Sequence, residues 1–172
     1  MASPEHIRIS LERKVQEIAQ QPSVGQGTAT TRVMLKSGLE CEIEEGTWKL
    51  TVGMAEKLGG NNAGPNPGIL GRGALGSCLA IGYGMWAARL GVPIDALEVE
   101  VQADYDSRGE LGIADDVSPG YVQVRYRVIV TSPAPEPDVQ RMLDIADKYS
   151  PYRDVYARPQ DVRRETTIIA RH

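Results

Sequence analysis

Residues 66–105 read NPGILGRGALGSCLAIGYGMWAARLGVPIDALEVEVQADY, and this stretch decides the fold. Asn66 is a helix-capping residue and Pro67 suits a first helical turn. Gly91 suits the far cap and Pro93 lies just beyond it, so the spacing predicts a helix ending at Arg89 or Leu90. Inside it stand Gly71, Gly73, Gly76, Gly82 and Gly84, each costing about 1 kcal/mol relative to Ala. A helix that accepts this cost lets a second helix or a sheet approach its backbone. The pattern then changes period. Leu97, Val99, Val101, Ala103 and Tyr105 alternate with Glu98, Glu100, Gln102 and Asp104, which is a strand with one apolar face.

Working outward, Val122, Val124, Tyr126, Val128 and Val130 repeat the alternation, with Arg125 and Arg127 on the other face. Glu98 and Glu100 are expected to pair with those arginines across an antiparallel ladder. A Pro-rich run, SPAPEP, leads to a helix with Val139, Met142, Leu143 and Ala146 on one side. Pro151 is expected to end that helix, and a last strand is expected over 161–169. Upstream, TATTRVMLK, LECEIE and WKLTV form three strand-like runs joined at Ser37-Gly38 and Gly46. Ser3-Pro4 opens a first helix reaching Gln20, with Ile7, Leu11, Val15 and Ile18 at helical spacing. Grouped antiparallel strands with helices between the groups give an α+β fold rather than a doubly wound parallel sheet.

The 172 residues suit one domain. Nineteen Lys and Arg against 23 Asp and Glu leave a net charge of −4, which argues against nucleic acid as a partner. Apolar residues make up 41%, enough for a core, and with no Phe that core is mainly aliphatic. No run approaches the roughly 18 apolar residues of a membrane span. The opening MASPEHIRIS lacks the features of a secretory signal, so a cytoplasmic location is expected. Two cysteines, Cys41 and Cys78, do not make a disulfide framework.

Candidate chemistry narrows quickly. Gly71–Gly76 fits G-x-G-x-x-G, but a dinucleotide fingerprint needs a strand before it and a helix opening at it. Here a Pro-rich loop precedes a helix that already contains the glycines, and Asp95, at a suitable distance, falls after Pro93. Asp104, Asp106, Gly109 and Asp115 approach a calcium-loop spacing, with Arg108 where an oxygen ligand belongs and no Glu at the last position. The cysteines are far apart, and the two histidines, His6 and His172, lie near the termini. That excludes an evident zinc site and leaves a Ser-His or Cys-His pair without a base. No metal, haem or nucleotide cofactor is expected. Cys41 belongs to the inward face of a strand as a small core residue. Cys78 lies mid-helix in ALGSCLAIG. It is reactive only if a cation from another element lies beside it; otherwise it too is a core residue.

The segment GGNNAGPNPGILGRGALGSCLAIGYGMWAARLGVPIDALEVEVQADYDSRGELG resembles the OsmC/Ohr family, the osmotically induced and organic-hydroperoxide-resistance proteins. The likeness extends through Tyr149-Ser150-Pro151 and covers residues 27–169, which divides the chain into an N-terminal helix and linker (1–25) and an OsmC-like domain (26–172). It implies antiparallel sheets around a long central Gly-rich helix, in an intertwined homodimer with its sites at the subunit interface. It also implies reduction of a small-molecule hydroperoxide by a peroxidatic cysteine, matched here by Cys78. Arg32 is the nearest match to the family's thiolate-holding arginine. The family's resolving cysteine is replaced by Ser150 and its glutamate by Gly68, so efficient two-cysteine chemistry is not expected. Cys41 can resolve instead only if its Cα comes within about 7 Å of that of Cys78. Three functions stay open: a one-cysteine peroxidase served by an external thiol, a non-catalytic dimer binding an apolar or thiol-reactive small molecule, and an assembly role using the N-terminal helix.

Overall fold

The computed structural model describes residues 3–170, so His172 lies outside the described residues. Helix α1 spans Pro4–Gln20, with the Ser3 hydroxyl accepting from the His6 N–H. Strands β1 (Arg32–Leu35), β2 (Cys41–Glu45) and β3 (Trp48–Val52) form an antiparallel meander in which Arg32 faces Glu44 and Cys41 faces Val52. Helix α2, Pro67–Leu90, starts where the Asn66 side chain accepts from the Ile69 N–H. It ends at Gly91, whose φ of 68° is a conformation glycine adopts without a Cβ penalty.

Strands β4 (Ala96–Tyr105) and β5 (Tyr121–Thr131) make a long antiparallel ribbon. Between them lies a single turn of helix, α3 (Ser107–Glu110), capped by Asp106. Helices α4 (Glu136–Lys148) and α5 (Pro151–Ala157) follow. The result is the expected α+β arrangement of long helix and antiparallel sheets.

The core lies where α2 crosses the ribbon and meets α4. Leu75, Leu79, Tyr83 and Ala87 recur every fourth residue on α2 and pack with Met142 and Ala146 of α4. Val99, Val101, Val124 and Val128 of the ribbon close the other side. Each fully buried large side chain here contributes about 1.5–3 kcal/mol. As expected, Val139, Met142, Leu143 and Ala146 share the inward face of α4.

Other expectations are corrected. Glu100 does face Arg127, but Glu98 faces Ile129, because the register sets Gln102 opposite Arg125. Arg125 instead bonds Asp104, one step along the same wet face. The helix glycines divide into two groups. A Cβ on Gly76 would meet Val101 at 3.3 Å, the close approach of a sheet, whereas a Cβ on Gly73, Gly82 or Gly84 would meet nothing within 4 Å in this chain. Helix α4 does stop at Lys148, before Pro151 as expected, but Pro151 then opens a further helix, α5, with Ser150 as cap. Residues 161–169 form no strand: they run as irregular, exposed chain, and neither sheet among the described residues includes them.

Candidate active site around Cys78

Cys78 sits on α2 between Leu75 and Leu79, half-buried. Its Sγ lies 3.7 Å from the Oγ of Ser150, within hydrogen-bonding reach for a sulfur atom. Ser150 is only 6% exposed, the one buried polar residue among the described residues. Its position is fixed from two sides: its hydroxyl accepts from the Arg153 N–H at 3.4 Å, and its own N–H donates to the Asp147 carbonyl at 3.3 Å. Helix α5 then runs back along α2. The Tyr156 hydroxyl stands 3.2 Å from where a Cβ on Gly71 would be, two turns before Cys78. Gly71 thus makes room for α5 to lie close.

A polar cluster anchors the corner that carries Ser150. The hydroxyls of Tyr83 and Tyr126 donate to the two carboxylate oxygens of Asp147, each at 2.6 Å. The Arg153 guanidinium donates to the Tyr126 oxygen at 3.2 Å. Burial, followed by the bond to Asp147, pushes the Tyr83 phenol well above its ordinary value. Tyr126 is raised for the same reasons, with Arg153 pulling the other way. Both phenols therefore remain protonated donors, and the carboxylate ties α4 to α2 and β5.

At the start of α2, Arg72 donates to the Tyr121 hydroxyl at 3.3 Å, and that hydroxyl donates to the Gly68 carbonyl at 3.2 Å. A Cβ on Gly68 would lie 3.3 Å from the Arg72 guanidinium. A basic and a phenolic group thus surround the position at which the resemblance expects a glutamate.

Of the remaining candidates, Arg32 opens β1 and faces Glu44 of β2. Cys41, half-buried on β2, is a free thiol within the same meander. Gly71–Gly76 are interior helical residues, preceded by loop rather than strand, so the phosphate-binding geometry is missing. The Asp106 carboxylate is engaged by its own cap and by Arg108, which hold it down to about 2.

The Tyr83–Asp147–Tyr126 cluster and α5 lie outside the expectations drawn from the sequence. The second had a visible signal: Ser150-Pro151 repeats the cap-then-proline pattern of Ser3-Pro4 and Asn66-Pro67.

A meander, a glycine-threaded helix bearing a mid-helix thiol, and a two-stranded ribbon beneath it define an α+β thiol-bearing fold. The OsmC-like protein family matches residues 59–164, and the chain belongs to that family. No curated protein sequence matches it. Among solved structures, it is similar to an OsmC-like protein from Mycoplasma pneumoniae, at 14% identity and a TM-score of 0.66, over 77% of this chain and 89% of that one. It is also similar to the organic hydroperoxide resistance protein OsmC from Legionella pneumophila, at 14% identity, a TM-score of 0.55, and 75% and 88% coverage. An OsmC-like hydroperoxide resistance protein from Jannaschia sp. gives 19% identity, a TM-score of 0.51, and 80% and 91% coverage. At these identities the likeness establishes the fold. No described helix is long and apolar enough to cross a membrane.

Proposed function

We propose that this chain reduces organic hydroperoxides through Cys78 alone, with an external thiol completing the cycle. The observation that carries this is the half-buried sulfur of Cys78 facing a hydroxyl, Ser150, instead of a second thiol. The Cys78 thiolate attacks one peroxide oxygen and the O–O bond breaks. Sulfur gives up two electrons and becomes a sulfenic acid, while the departing alkoxide takes a proton from water and leaves as the alcohol. A small thiol then condenses with the sulfenic acid, releasing water. A second thiol displaces the first as a disulfide and frees Cys78. Neighbours named as hydroperoxide resistance proteins support this chemistry.

The working unit in this reading is a homodimer. The open face of α2, with Gly73 and Gly84 unopposed and Ile81 64% exposed, supports it. So do the bare apolar side chains of the meander, such as Leu35 and Trp48, and the unpaired run 161–169. Pairing of two copies is also the route by which a cation from the first hairpin, Arg32, reaches a sulfur on the opposite protomer.

A second reading, a non-catalytic binder of apolar small molecules, draws on a specific feature. A groove of about 440 Å³ lies between α1 and the end of α2, lined by Ile7, Ala80, Gly84, Ala87, Ile94 and Leu97. One experiment separates the two. Purified protein is treated with cumene hydroperoxide, and sulfenic acid is trapped with dimedone and located by mass spectrometry. Stoichiometric labelling of Cys78 with turnover in the presence of dithiothreitol supports the peroxidase. An unmodified thiol at millimolar peroxide refutes it, and retained ligand binding in Cys78→Ala favours the binder.

A further inference from the structure

We infer that Ser150 is a positioning residue for the Cys78 thiolate, its buried hydroxyl supplying the hydrogen bond that holds the negative sulfur and then the sulfenic acid. This deepens the peroxidase reading and rests on it. Ser150 has one proton to donate, and the hydroxyl's accepting side already takes the Arg153 N–H. The group in reach of that proton is the Cys78 sulfur, at 3.7 Å. When Cys78 is a thiol, either partner can donate; when it is a thiolate, only the serine can. A thiolate here therefore has a fixed donor within reach, at a hydroxyl 94% shielded from competing water.

The surroundings show that the hydroxyl is held in place. Its backbone N–H is tied to Asp147, and the Asp147 carboxylate is gripped by Tyr83 and Tyr126 from two other elements. Arg153, whose N–H orients the serine oxygen, is itself fixed to Tyr126 through its guanidinium. Four side chains from α2, β5, α4 and α5 thus fix one O–H at the sulfur. Because oxygen cannot form a disulfide with a sulfenic acid, this partner stabilises the oxidised sulfur without consuming it, leaving resolution to a thiol from outside.

The test uses wild type, Ser150→Ala and Ser150→Thr. Alkylation of Cys78 by iodoacetamide is followed against pH without any peroxide, and sulfenic acid lifetime is followed by delayed dimedone trapping after a peroxide pulse. In Ser150→Ala, alkylation near neutral pH is expected to slow about fivefold to tenfold. The sulfenic acid is expected to decay faster. Ser150→Thr keeps both the hydroxyl and the helix cap and is expected to keep the wild-type profile. Superimposable wild-type and Ser150→Ala profiles overturn the inference, as does a folded Ser150→Thr that behaves like Ser150→Ala. If wild type forms no sulfenic acid, the peroxidase reading fails, while the alkylation profile still decides whether Ser150 acts on the thiol.

Discussion

The Tyr83 hydroxyl donates to Asp147 at 2.6 Å, joining the middle of α2 to the end of α4. Tyr83 is 1% exposed, so this polar contact lies within the aliphatic core. Tyr83→Phe keeps the ring and removes the bond, leaving Asp147 with Tyr126 alone. An expected loss of about 1–2 kcal/mol follows, read from denaturant unfolding. Coupling in a double-mutant cycle with Tyr126→Phe tests whether the two phenols share the one carboxylate.

The same tyrosines set an alkaline limit. Their folded values lie above the ordinary phenol value, Tyr83's well above it, with burial the leading cause. A group raised on folding stabilises fully below its unfolded value, about 10, and that stability is lost as pH rises beyond it. The thermal midpoint is expected to hold up to about pH 10 and fall above it. The fall is expected to be shallower in Tyr83→Phe. An identical decline in both proteins rules this origin out.

Ser150→Cys places a second sulfur where an oxygen now stands 3.7 Å from the Cys78 sulfur. After a single equivalent of hydroperoxide, an intramolecular 78–150 disulfide is expected, visible as the loss of two thiols and a matching peptide cross-link. In the parent protein no such link can form at this pair.

Ile81→Glu puts a charge on the open face of α2, where Ile81 is exposed in the single chain. Sedimentation velocity is expected to show dimer in the parent and monomer in the variant, with the circular dichroism of the helices retained. A monomeric parent at micromolar concentration removes the interface from that face.

Gly60→Ala probes the loop between β3 and α2. An added Cβ there falls 1.9 Å from the Met54 carbonyl oxygen, so backbone has to shift. The expected cost is about 1–3 kcal/mol, measured by thermal unfolding beside Gly27→Ala, an exposed loop position that meets open space and is expected to lose nothing from steric contact.

Much of the fold could be read from local chemistry. Asn66, Pro67 and Gly91 mark α2 because caps act within a few residues, and the alternation over 97–105 and 122–130 marks the ribbon because side chains change face at every step. Cys78 was found through the glycine-rich helix that carries it. The partner of its sulfur was legible only through the family resemblance, which sets Ser150 at the resolving position; no local pattern shows it, because Ser150 lies 72 residues away and meets Cys78 only after the chain turns back along α2. The Tyr83–Asp147–Tyr126 cluster was hidden for the same reason, since each member looks like an ordinary core or surface residue until three elements converge. The strand expected over 161–169 needs a neighbour, and an apolar pattern carries no information about who supplies one.

Helix α1 lies wholly outside the stretch shared with the OsmC-like family, and its first turn borders the end of α2, where Gly84, Ala87 and Ala88 sit. Cys78 lies further up the rod, on the side turned toward α5. The appended element and the thiol therefore occupy different territory on one shared support. Cutting the leading helix away is expected to spare the sulfur's own company of neighbours, Ser150 foremost.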